Sequence, residues 1–123
     1  MHKIFSNLAE ETRSKLKKSG QPEWTAPMLA TLSKEHFSKE EWVFERKFDG
    51  ERCLVFKSDG KTRLISRNKK EKTRQYPEIA EAFEQQEHTF VVDGEIVAFD
   101  GNVTSFSRLQ PRMHANKPDL DIE

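Results

Sequence analysis

The run "VFERKFDGERCLVF", residues 43–56, sets Glu45, Arg46, Lys47, Asp49, Glu51 and Arg52 around an Asp-Gly pair inside an otherwise apolar, strand-forming stretch. In an extended strand alternate side chains share a face, so Glu45 and Lys47 would point the same way, and a turn at Asp49-Gly50 would return Arg52 beside them. A lysine in such a place can act as a nucleophile only when neutral. With a free pKa of about 10.4, roughly one lysine in a few thousand is neutral at pH 7, and lowering that value by about three units takes about 4 kcal/mol. A neighbouring cation such as Arg52, a substrate-borne metal ion and partial burial would together supply it. The plainer alternative is an ordinary hairpin turn with Lys47 and Arg52 as solvated edge charges.

Other chemistry is less well supported. Cys53 is the sole cysteine and has no histidine motif beside it, so it is expected to pack rather than react, and no internal disulfide can form. His2, His36, His88 and His114 lack metal-ligand spacing, which argues against a zinc site. No glycine-rich phosphate loop occurs, so phosphate recognition would have to come from side chains.

The elements that would carry these residues follow from pattern. "NLAEETRSKLKK", residues 7–18, predicts a short helix with Asn7 as a possible cap. Gly20 to Pro22 end it, and "WTAPMLATLS" follows as an apolar connector whose Trp24, Met28, Leu29 and Leu32 are expected against the body of the domain. "KEHFSKEEW" reads as a short helix or a loop. "WVFERKF", "RCLVFK" and "TRLISR" predict strands, the last two joined at Asp59-Gly60, the strongest hairpin signal in the chain. "YPEIAEAFEQQE" predicts a helix starting at Pro77, with Ile79, Ala80 and Phe83 inward and Glu78, Glu81, Glu84 and Glu87 outward. "TFVVDGEIVAF" predicts another strand, Asp100-Gly101 another turn, and "VTSFSRL" a returning strand or the approach to a helix.

The totals bound the function. The chain has 123 residues, 34% hydrophobic and 34% charged, which suits one domain with a modest core. Basic and acidic residues number 21 each, which removes any argument for nucleic-acid binding from bulk charge. Locally the balance breaks: "KTRLISRNKKEKTR", residues 61–74, is strongly cationic and reads as a solvated loop or a phosphate-facing surface. No signal peptide or membrane-length apolar run occurs, which leads to the expectation of a cytoplasmic protein with no membrane partner.

"ERKFDGER" matches the Lys-x-Asp-Gly-x-Arg motif of covalent nucleotidyltransferases: ATP-dependent DNA ligases, RNA ligases and mRNA capping enzymes. With "TAPMLATL" before it and "LISRNKKEKTRQYPEI", "VVDGEIVAFD" and "FSRLQPRM" after it, the chain resembles ATP-dependent DNA ligases from about Trp24 to Met113, above all the ligase domain of bacterial and archaeal end-joining ligases. The resemblance implies an α+β fold, a mainly antiparallel sheet with flanking helices, as part of an ATP-grasp-like adenylation domain. It implies that Lys47 attacks the α-phosphate of ATP, with magnesium, and carries AMP. Glu45 would contact the adenine amino group, Arg52 the ribose or phosphate, Glu95 a ribose hydroxyl, and the Phe106 ring would stack on adenine. Arg67 would sense the phosphate of nicked double-stranded DNA, with Lys69 and Lys70 extending that surface; Lys72 and Arg74 are weaker candidates. Arg108 and Arg112 would join the DNA or, by preference, cover the domain.

The resemblance also marks what is missing. The family's metal-associated Glu motif, its Lys-x-Lys motif and its oligonucleotide-binding domain do not occur in these residues. The expectation is therefore the N-terminal part of an adenylation domain, inactive or weakly active alone and completed by a C-terminal fragment or partner subunit. Its layout would be a helical extension over 1–23, the ligase portion over 24–113 and a flexible tail over 114–123. The competing readings are a non-catalytic module that docks nicked DNA or a partner, and, third, an RNA ligase or capping enzyme.

Overall fold

The computed structural model describes residues 5–115. Their centre is a three-stranded antiparallel sheet of β1 (Glu51–Ser58), β2 (Lys61–Ser66) and β3 (Phe90–Ile96), in the order β2-β1-β3. Two residues, Asp59 and Gly60, join β1 to β2, both with positive φ (50° and 75°), the backbone signature of a tight type I′ hairpin and a confirmation of the Asp-Gly signal. β4 (Phe99–Asp100) and β5 (Val103–Thr104) form a second small hairpin, turned through Gly101 at φ 60°.

β1 is central and covered on both faces, which is why Cys53 through Lys57 are all buried. Its odd-numbered residues, Cys53 and Val55, join Leu64, Tyr76, Ala80, Ile96, Ala98 and Leu109 in the main core under α2 (Pro77–Glu84) and α3 (Phe106–Met113). Its even-numbered residues, Leu54 and Phe56, meet Ile65 and Trp24 on the opposite face. α2 begins at Pro77 as expected, where proline's missing N–H costs nothing, and it turns Ile79, Ala80 and Phe83 inward while its glutamates stay exposed.

Several sequence expectations need correcting. "WVFERKF" is not a strand: residues 43–49 have no regular structure and are exposed. No neighbouring strand offers them a ladder, and propensity alone does not hold an extended segment. "TFVVDGEIVAF" is one strand only as far as Ile96 and breaks before β4. The N-terminal helix shrinks to α1 (Glu10–Ser14), starting after Ala9 rather than from an Asn7 cap, because it buries no apolar residue that would extend it. Trp24 does reach the core, but Met28 (86% exposed), Leu29 and Leu32 (92%) stand in the open. "KEHFSKEEW" is a loop with a turn at its end, and the flexible tail expected over 114–123 lies mostly outside the described residues. No described helix is long and apolar enough to cross a membrane.

Candidate functional site

The site is built at the end of the sheet where β1 begins. A Cβ on Gly50 would collide with the Ile96 carbonyl oxygen and lie 2.9 Å from Val97 Cγ1, so only glycine lets the chain enter β1 this close to β3. Asp49, just before it, ties the motif loop to the end of β5 and to the start of α3. Its backbone N–H donates to Thr104 Oγ1 at 3.2 Å, and its carboxylate accepts the Phe106 N–H at 3.3 Å. The helix's own cap residue, Ser105, makes no capping bond, so a residue 57 positions away in sequence supplies the acceptor. Phe106 is thereby fixed next to the loop that carries Lys47, whose Cα lies within about 7 Å of the Cα of Asp49.

Arg52 and Glu95 are paired across β1 and β3. Arg52 makes a two-pronged bond with Asp93, Nε to Oδ1 at 2.9 Å and Nη2 to Oδ2 at 2.5 Å, and its Nη1 donates to the Met28 carbonyl at 2.6 Å. The Arg52 guanidinium holds the Asp93 carboxyl below its usual range. Burial pushes the Glu95 carboxyl up, and the positive charges of Lys47 and Arg52 pull against that rise. Lys47 therefore lies within electrostatic reach of Glu95, although it is exposed and makes no hydrogen bond or ion pair among the described residues.

A cleft of about 400 Å³ opens here, lined by Gly50, Arg52, Arg67, Lys70, Lys72 and Glu95 among others. Five residues singled out by sequence, Arg52, Glu95, Arg67, Lys70 and the weaker candidate Lys72, meet in it; Lys47, Glu45 and Phe106 are not in its lining. Glu45 is exposed and makes no hydrogen bond or ion pair among the described residues. Lys69 has left the group: its ammonium sits 4.2 Å from the centre of the Trp24 ring, a cation–π contact. The basic segment is not a free loop, since the Ser66 N–H bonds the Lys70 carbonyl at 2.9 Å and the Lys72 N–H bonds the Leu64 carbonyl at 2.7 Å. Arg108 makes an exposed pair with Asp100, and the buried Arg112 pairs with Glu78 and donates to the Gln75 carbonyl. Cys53 is buried as expected, and burial pushes its thiol up to about 12.

Sequence reasoning missed a largely enclosed network in the wall of the cleft, whose lining includes Glu51, Lys72 and Met113. Glu51 Oε1 meets Lys72 Nζ at 2.9 Å, Glu51 Oε2 accepts the Tyr76 hydroxyl at 3.0 Å, and Lys72 Nζ also donates to the Met113 carbonyl at 3.2 Å. Alternation from Cys53 and Val55 was the available signal: it puts Glu51 on the helix-covered face, where a carboxylate needs a cation.

The sequence matches the model of the ATP-dependent DNA ligase domain over residues 27–123. The chain belongs to the ATP-dependent DNA ligase family. Within that family it is 39% identical over 111 residues to the multifunctional non-homologous end joining protein LigD of Mycolicibacterium smegmatis, covering 88% of this chain and 15% of the relative. It is 35% identical to the SPbeta prophage-derived DNA ligase-like protein LigB of Bacillus subtilis, covering 80% of this chain and 36% of that one. The ligase domain of LigD from M. tuberculosis superimposes with a TM-score of 0.54 at 34% identity, over 64% of this chain and 25% of that one. A mycobacterial DNA ligase D complexed with ATP and MES gives a TM-score of 0.50 at 39% identity, over 59% and 25%. The ligase chain thus spans a minor part of each relative, and its mixed helix and antiparallel-sheet fold is that of the LigD ligase domain.

Proposed function

We propose that this chain carries the nucleotide-accepting centre of a DNA ligase, with Lys47 as the residue that takes AMP from ATP. In that step the neutral Lys47 amine forms an N–P bond to the α-phosphorus, the bond between the α- and β-phosphates breaks, pyrophosphate leaves and the amine gives up a proton. The AMP would then pass to the 5′-phosphate of nicked DNA, and a 3′-hydroxyl would displace it to seal the nick. Glu95 serves as acceptor for a ribose hydroxyl, the Phe106 ring as the face on which adenine stacks, and Glu45 as acceptor for the adenine amino group. Arg67 and Lys70, which make no ion pair among the described residues, serve the phosphates of the DNA backbone.

One observation carries this reading: Asp49 bonds the N–H of Phe106, so the loop bearing the nucleophile and the helix bearing the stacking ring form one unit. The cleft's volume of about 400 Å³ is of the size that holds a small ligand. The fit is partial. Asp93 and the Met28 carbonyl already occupy three of the Arg52 donors, and no group of three His, Cys, Asp or Glu side chains among the described residues could hold magnesium. A metal ion would therefore come with the ATP phosphates, and further cations for the triphosphate from a C-terminal ligase segment or a partner subunit. The test is incubation with α-labelled ATP and magnesium, with and without such a segment. Alkali-stable, acid-labile, hydroxylamine-sensitive label on Lys47, absent in Lys47→Ala, is expected; no label under either condition refutes the proposal.

The engagement of Arg52 favours a second reading, a nick-docking module without nucleotide chemistry. It would give salt-dependent binding to nicked duplex that Arg67→Ala loses and Lys47→Ala keeps, with no label on any variant.

A further inference from the structure

The network in the wall of the cleft connects the motif loop to both ends of α3. Asp49 holds the N-terminal end of α3 through the Phe106 N–H. Glu51, two residues on, reaches the other end indirectly: it pairs with Lys72, and Lys72 donates to the carbonyl of Met113, the last residue of α3. The last carbonyls of a helix lack partners within it and carry its negative pole, so an ammonium there satisfies both needs. The pair is enclosed, with side chains 10% and 11% exposed. Its remaining oxygen accepts from the Tyr76 hydroxyl, whose proton is held because burial first, and then the Glu51 charge, raise that phenol above its ordinary value. Tyr76 is in turn the residue from which α2 starts, and Arg112 of α3 lies over its ring at 5.3 Å.

We infer that Glu51 and Lys72 are a positioning pair for the nucleotide site: together with Asp49 they clamp α3 at both ends and so set where Phe106 stands relative to Lys47. Neither residue touches the reacting atoms in this scheme. Lys72, proposed from sequence as a possible DNA contact, lines the cleft but spends its ammonium on Glu51 and the Met113 carbonyl. This inference rests on the proposed role of Phe106, and it concerns this chain's own residues rather than the motif in general.

Two measurements on the full chain test it, one independent of nucleotide. In amide hydrogen exchange without ligand, Lys72→Met is expected to lower protection of the Phe106 and Leu109 amides about tenfold while the β1–β2 hairpin amides keep theirs. In ATP binding, Lys72→Met is expected to weaken affinity about tenfold, the worth of one well-placed base stack, and Lys72→Arg to restore it. The double variant Glu51→Gln/Lys72→Met should be no worse than Lys72→Met alone, since the two act as one unit. Uniform loss of protection across sheet and helix, or unchanged ATP affinity alongside lost α3 protection, would overturn the positioning role. If the wild-type chain binds no ATP either with or without a C-terminal ligase segment, the nucleotide reading falls, and the exchange pattern alone decides whether the pair clamps α3.

Discussion

Asp49 offers the sharpest test of how the site is assembled, because the two functions of its carboxylate can be separated. It accepts the Phe106 N–H at 3.3 Å and puts a negative charge at the positive pole of α3, whose own cap residue makes no side-chain bond. Asp49→Ala removes both and should cost about 1 kcal/mol, the usual loss when a helix cap becomes alanine. For a domain of this length that corresponds to a fall in Tm of about 4 °C. Asp49→Asn keeps an acceptor and loses the charge, so its cost should be about 0.5 kcal/mol, the scale of an exposed charge at a helix terminus, and it should shrink further in high salt. Urea unfolding followed by circular dichroism measures both as shifts in midpoint at constant slope. Hydrogen exchange at Phe106 then locates the loss. If Asp49→Ala unfolds at the wild-type midpoint, or if the asparagine variant falls as far as the alanine one, the cap is not what joins the motif loop to α3.

Gly50→Ala should destabilise by about 1–3 kcal/mol, because the new methyl group meets the Ile96 carbonyl and Val97, and urea midpoints measure it. Glu95 and Asp93 should respond to pH in opposite directions. With its folded pKa raised by burial, Glu95 contributes stability below its ordinary value that is lost as pH rises through the raised one, so Glu95→Gln should be neutral or stabilising at pH 7 while weakening ATP binding. Asp93, depressed chiefly by its hydrogen bond to Arg52, contributes stability above its ordinary value that is lost as pH falls through the lowered one; Asp93→Asn should flatten that acid limb by less than about 1 kcal/mol, since the pair is partly exposed. Cys53, buried with its thiol pushed up to about 12, should resist iodoacetamide at pH 8 in the folded chain and react at once in urea, where labelling read by mass reports unfolding.

What could be read from the sequence depended on whether the cause was local. The Asp59-Gly60 hairpin and the Pro77 helix were legible because turn chemistry and a fixed φ act over a few residues. Arg52 was expected beside Glu45 and Lys47 but lies beside Glu95, because strand register carries both. Residues 43–49 misled, since β-branched and aromatic content describes what a strand would accept, not whether a neighbouring strand exists. The Asp49–Phe106 cap, the Glu51–Lys72 pair and the Lys69–Trp24 stack each join positions tens of residues apart, and pattern along one chain carries no sign of them. Lys69 shows the difference plainly: it reads as a cation extending the DNA-facing surface, yet an aromatic ring from the N-terminal connector claims it.

Residues 43–48 make no hydrogen bond among the described residues, and the anchor to α3 comes only afterwards, at Asp49. Fixing the backbone of six residues costs on the order of 6–12 kcal/mol in lost conformational freedom, comparable to the whole binding energy of a micromolar ligand. A nucleotide that froze this stretch into one conformation would spend much of its contact energy on that ordering. Affinity is then governed less by how many groups touch the ligand than by how far the approach to Lys47 is organised beforehand, and any neighbour that rigidifies it would tighten binding without contacting the nucleotide.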